Sequence, residues 1–368
     1  MRGLLLLALQ SVVIAVEQAS SGITLTFYAK HQAELTERLR SILLNISDPR
    51  NEQYGQYLSL EQAAAYQQPA AESVRAIEAH VAELGGVIES RTLAGDKIVV
   101  RIRNTNVTAA EIVPTSLQLH VDLVDGPAAI LGSTFRSLRN APRPVRQNRP
   151  ERRMEVTKDP LECLADKVTA KCLRAAYGLN GTVGTNVTNG QAVVVNQMYK
   201  QSDLDAFLKE SGLAPQKITH NIGKLDGSAG DEASLDTQFI IATGSQVPTW
   251  WVYIDGHAAN PFSNWLVWAS NNSAIPFVHS LSVGEPEGEA VDFIARMNAE
   301  MMALGARGIS IIFASGDSGY AEEQKFGSSS PYVTSVGGVY NGDLGNSALE
   351  VKRTEHLCAC MRVCVHDF

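Results

Sequence analysis

The sequence predicts an α/β protein: a parallel sheet flanked by helices, preceded by a small α+β domain. Three observations lead there. The run Ile309 to Phe313 is mostly apolar and follows Gly308, as in a strand buried on both faces. It opens into the polar loop Ser315-Gly316-Asp317-Ser318-Gly319, at the strand end where open α/β sheets place their sites. From Ala192 onward, strand-like runs alternate with helical stretches of roughly ten to fifteen residues, the spacing of βαβ units.

The elements follow in chain order. Arg2 precedes an apolar run, Gly3 to Val16, that is too short to span a bilayer, so residues 1–19 read as a secretory signal peptide. Residues 20–134 form the α+β domain. Ile23 to Phe27 alternates like a strand, and Gln32 to Leu44 carries Leu35, Leu39 and Leu43 on one helical face until Ser47-Asp48-Pro49 breaks it. Ser59, with Gln62 three residues on, marks the start of a second helix, and Ala70 to Leu84 forms a third. Lys97–Ile102 and Leu117–Val121 read as strands. Residues 135–156 change character: arginines from Arg136 to Arg153 alternate with Pro142, Pro144 and Pro150, a composition that builds no core and reads as an exposed connector. Residues 157–339 hold strands at Ala192–Val195, Thr249–Ile254, Phe277–Val283, Ile309–Phe313 and Tyr332–Val336. Helices fall at Asp203–Ser211, Asp231–Ala242, Pro261–Ala269 and Val291–Ala306. Residues 340–368 lose the pattern and read as an atypical Cys-rich tail.

Composition narrows the function. A net charge of −8 disfavours nucleic acid as a partner, and no segment after the first is long and apolar enough for a transmembrane helix. Sequons at Asn45, Asn106, Asn180, Asn186 and Asn271, behind a signal peptide, point to a secreted or lysosomal glycoprotein. In an oxidising compartment Cys163 and Cys172 are expected to form a disulfide closing a short loop. Cys358, Cys360 and Cys364 crowd the tail without a structured metal-binding context, and no metal ligands are assigned.

Two stretches could carry chemistry. Glu232 and Asp236 stand four apart on a helix, so both carboxylates share one face. Such a pair is a solvated face in many helices, but held at a sheet edge it can share a proton, one pKa rising. Gly316-Asp317-Ser318-Gly319 matches the nucleophile motif of trypsin-like serine proteases, yet that chemistry needs an antiparallel barrel and an upstream His. The parallel pattern, and histidines without a supporting motif, shift the weight from Ser318 towards Asp317.

Taken in order, Glu232 to Asp236, Ser280-Leu281-Ser282-Val283-Gly284, Phe313 to Gly319 and Ser329 to Gly338 resemble the sedolisin family of serine-carboxyl peptidases. Leu25 to Phe27, Ser47-Asp48-Pro49 and Tyr54 to Ser59 resemble that family's activation propeptide, and Cys163 with Cys172 to Tyr177 the start of its mature enzyme. The resemblance implies a subtilisin-like fold, an intramolecular propeptide, and hydrolysis of peptide or protein substrates at acidic pH. It implies Glu232 as general base, Asp236 as its orienting carboxylate and a protonated Asp317 in the oxyanion hole. Ser282, Val283 and Gly284 would lie along the substrate backbone. The family's nucleophile stands in a later Ser-Gly-Thr-Ser-X-Ser-X-Pro motif that this sequence lacks, as it lacks the family's more distant Ca²⁺ site. The expectation is therefore a peptidase precursor that is inactive as this chain alone. The alternative is a non-catalytic secreted binder that inhibits a related peptidase through its propeptide-like domain.

Overall fold

Two sheets organise the chain in the computed structural model, which describes residues 22–131, 169–184, 189–223, 229–254, 260–286, 291–315 and 325–337. The expected signal peptide, the 135–156 connector, the tail, Cys163, Asn186, Asp317 and Ser318 lie outside the described residues.

The first sheet is antiparallel, in the order β2-β3-β1-β4, from β1 (Ile23–Ala29), β2 (Gly86–Arg91), β3 (Lys97–Ile102) and β4 (Val121–Asp125). Leu25, Phe27, Ile98, Val100 and Ile102 pack against Ile77 and Val81 of the helix α3 (Ala71–Glu83). Before α3 come α1 (Ala33–Ser47) and α2 (Leu60–Tyr66), and Ser59 with Gln62 closes the expected capping box on α2. Two short helices, α4 (Ala109–Ile112) and α5 (Ala128–Leu131), flank β4.

The second sheet has six strands, all parallel, in the order β12-β10-β8-β5-β7-β6. Its strands are β5 (Gln191–Val195), β6 (His220–Ile222), β7 (Thr249–Tyr253), β8 (Val278–Leu281), β10 (Ser310–Ala314) and β12 (Thr334–Val336). A separate two-stranded ribbon pairs β9 (Glu285–Pro286) with β11 (Lys325–Phe326). The helices are α6 (Ala170–Ala176), α7 (Gln201–Glu210), α8 (Asp231–Thr243), α9 (Ser263–Ala269) and α10 (Val291–Ala306). Alternation along the strands assigns the faces. Ala192, Val194, Leu281, Ile311 and Phe313 pack with Trp265 of α9 and Met297 and Met301 of α10, whereas Val193, Val195 and Trp251 pack with Ala233 of α8. The predicted parallel sheet with helices on both faces is thus present, behind an α+β domain.

One expected strand is corrected. Residues 115–120 form turns, and β4 begins at Val121, where the expected strand ended. Asp122 and Asp125 interrupt the apolar pattern of this strand, but both are satisfied by the second domain. Asp122 pairs with Arg296 at 2.9 Å, and Asp125 accepts the Asn260 backbone N–H at 2.6 Å. The short edge strands β2 and β6 carry no such pattern and were not foreseen.

The two domains share a buried seam along α10. Leu39, Leu43 and Ile46 of α1 pack on Met302, Ala303 and Ala306, and Tyr28 of β1 enters the main core of the second domain, donating to Ser263 Oγ at 2.6 Å. Beside it, Arg296 and Glu300 meet Asp96, Lys97 and Asp122. Arg296 reaches Asp96 at 2.6 Å and Glu300 at 2.8 Å, and Lys97 reaches Glu300 at 2.8 Å and Asp96 at 2.9 Å. Burial alone would raise the Asp96 pKa, but Lys97, the His31 hydrogen bond and Arg296 outweigh it and hold the carboxyl well below the usual range. Glu300 is likewise lowered against the effect of burial by Lys97 and Arg296.

Candidate active site

The C-terminal edge of the parallel sheet gathers the residues singled out in the sequence. The chain leaves β5 at Val195 and turns so that Gln197 Oε1 accepts the Glu232 backbone N–H at 3.1 Å. That amide is one of the orphan donors at the start of α8, so Gln197 acts as a cap supplied from another element. Gly230 sits at the N-cap because a Cβ there would stand 2.0 Å from Gln197 Oε1. Gly230→Ala is expected to displace the Gln197 amide and cost about 1 kcal/mol, the net value of one hydrogen bond. Chemical denaturation checks this, and the loss should largely vanish in a Gln197→Ala background. Gln197 was not legible in the sequence, where it follows a strand with no motif around it.

From this start α8 carries Glu232 and Asp236 on one face, one turn apart. Ala233, Thr237 and Ile241 point into the core and fix the helix roll. Ser282, just beyond β8, donates from Oγ to Asp236 Oδ1 at 2.9 Å, while Asp236 Oδ2 is buried without a hydrogen-bond partner. Burial and then the Glu232 charge push the Asp236 pKa up to about 7, against the lowering effect of the Ser282 bond. Asp236 is therefore a neutral acid at acidic pH, beside the Glu232 carboxyl. The structure brings Glu232, Asp236 and Ser282 together.

Val283 and Gly284 follow Ser282 as buried residues without regular structure. The adjacent parallel strand β10 ends at Ala314, where Ser315 N–H donates to Val336 O at 2.9 Å. Asp317 lies two residues beyond Ser315, outside the described residues.

Other site expectations scatter as surface and support. Asn45, Asn106, Asn180 and Asn271 are exposed, as glycan acceptors must be. Cys172, buried in α6, is disulfide-bonded, and its expected partner Cys163 is not among the described residues. Among the described residues, His31, Asp96 and Glu300 offer three metal-capable atoms within 4.8 Å of one another. They do not fit a Ca²⁺ ion, because the ammonium of Lys97 and the guanidinium of Arg296 already occupy both carboxylates. Among the described residues no helix is long and apolar enough to cross a membrane.

Residues 12–110 match the Pro-kumamolisin activation domain, which takes in most of the antiparallel sheet and its helices. The chain is 30% identical over 363 residues to tripeptidyl-peptidase 1 of Mus musculus, 31% over 360 residues to that of Rattus norvegicus and 30% over 360 residues to that of Homo sapiens. Each alignment takes in 86% of this chain and 61% of the relative, so the chain spans less than two thirds of the length of these relatives. An activation domain followed by a tripeptidyl-peptidase-like α/β region makes this chain a relative of the sedolisin family.

Proposed function

We propose that the chain is the activation and acid–base part of a sedolisin-like peptidase precursor that acts on peptide or protein substrates at acidic pH. The observation that supports this most directly is the Glu232–Asp236 pair at the sheet edge, with Asp236 anchored by Ser282 and its pKa pushed up to about 7. Below that pH Asp236 is a neutral hydrogen-bond donor and leaves Glu232 as the proton acceptor, the arrangement a general base needs. In this reading Asp317, protonated, donates to the oxyanion. The backbone from Ser282 to Gly284 lies along the substrate, and the N-terminal domain is the intramolecular propeptide. A secretory route to an extracellular or lysosomal compartment, with a Cys163–Cys172 disulfide, belongs to the same reading.

The family's serine motif is absent from this sequence, so the 368-residue chain alone is expected not to turn over a peptide at acidic pH. A chimera that continues from residue 337 with the remaining part of mouse tripeptidyl-peptidase 1 is expected to hydrolyse peptides. Glu232→Ala should abolish that activity. A folded chimera with no activity, or one unaffected by Glu232→Ala, would sink the proposal.

A further inference from the structure

The Ser282 hydroxyl does something the sequence pattern did not suggest. Leu281 at the end of β8 and Val283 just beyond it are buried in the core on the α9–α10 side of the sheet, whereas Ser282 between them turns to α8. There Oγ meets Asp236 Oδ1 at 2.9 Å, a contact between residues 46 apart in sequence. We propose that Ser282 is a positioning residue: its hydroxyl fixes the Asp236 carboxyl through Oδ1 and so assigns the proton of that acid to Oδ2, the oxygen left to serve Glu232. This rests on the general-base reading of Glu232 given above.

The assignment follows from hydrogen-bond chemistry. A protonated carboxyl has one oxygen that carries the proton and one that chiefly accepts. With Ser282 donating to Oδ1, Oδ1 is the accepting oxygen. The proton then belongs on Oδ2, which is buried and has no other hydrogen-bond partner. Glu232 is the titratable neighbour one turn earlier on the same face, and its charge already acts on Asp236. Without the hydroxyl the carboxyl can rotate, and either oxygen can hold the proton. The side chain of Ser282 is thus committed inwards, leaving only its backbone to a substrate.

The test is a titration of the Asp236 carboxyl carbon by NMR in the full chain, labelled at aspartate. A hydrogen bond to a carboxylate favours its ionised form, so Ser282→Ala should raise the Asp236 midpoint by about half a unit to one unit. Ser282→Thr, which keeps the hydroxyl, should restore it. Ser282→Cys, near in size and a weak donor, should shift it the same way as Ala and stands in should the Ala variant not fold. An unchanged midpoint in the Ala or Cys variant overturns the proposal. Glu232→Gln separates the two readings. It should lower the Asp236 midpoint, and a midpoint unmoved by Glu232→Gln but moved by Ser282→Ala would remove the dyad while leaving the Ser282 anchor in place.

Discussion

Arg296→Met is expected to destabilise the protein by about 3–5 kcal/mol, the cost of removing one partner from a buried ionic cluster. Arg296 is fully buried, and its guanidinium contacts Asp96, Glu300, Asp122 and the Ala29 carbonyl. Met keeps much of the stem but leaves Asp96 and Glu300 with Lys97 as their remaining strong cation. The loss should fall on the seam between the two domains, since Arg296 comes from α10 and Asp96, Asp122 and Ala29 from the activation-domain side. Denaturant unfolding reads the total. Limited proteolysis reads whether the domains part before they unfold. A change below about 1 kcal/mol, the range of exposed ion pairs, would refute the account.

The same seam sets an acid response. Asp96 and Glu300 have pKa values lowered from 3.8 and 4.5. Their contribution is complete above those ordinary values and is lost as pH falls through the lower folded values. His31, lowered from 6.5 by burial and then by Arg296, is held neutral, and its ring Nε2 lies 2.9 Å from Asp96 Oδ2. Its contribution starts to be lost as pH falls below 6.5. Acidification therefore weakens the seam first through His31 and then through the carboxylates.

The second large effect is a loss of about 3 kcal/mol between pH 6.5 and pH 4 from His279 alone. Burial lowers its pKa from 6.5 to about 4. In the fold, Nδ1 accepts from Trp265 Nε1 at 2.8 Å and Nε2 donates to the Pro276 carbonyl at 2.9 Å. Both nitrogens are used by the neutral ring, so an added proton on Nδ1 would face the Trp265 N–H. Stability is complete above pH 6.5 and falls by one proton's slope until the folded value near 4 is passed. The Trp265→Phe/His279→Leu double variant removes both polar partners and should flatten this part of the profile. An unaltered slope in that variant would show the titrating group to be elsewhere. Asp236 acts in the opposite sense: its pKa is raised from 3.8 to about 7, so the fold disfavours its ionised form and this cost grows as pH rises between those values. The site is thus suited to acid while the seam and His279 are not.

Much of the architecture was legible because local signals and burial agree. The all-buried β5, the long apolar face of α10 and the Ser59–Gln62 box on α2 each point to the structure they form. The i,i+4 spacing alone put Glu232 and Asp236 on one face. What spacing could not say is which face of the sheet receives them or what meets them there. That is decided by parallel pairing of β5, β8 and β10, which gathers Gln197 and Ser282 at one edge. The misplaced strand has a similar cause: Asp122 and Asp125 interrupt the apolar run of β4, and contacts such as those with Arg296 and the Asn260 backbone, more than a hundred residues away, satisfy them there. Periodicity and turn chemistry are local, so they place most of the helices and strands in order, though not β2, β6 or the start of β4. The tertiary structure alone decided the partners of the buried polar groups, because a buried donor or charge is tolerated only where a distant element supplies its counterpart.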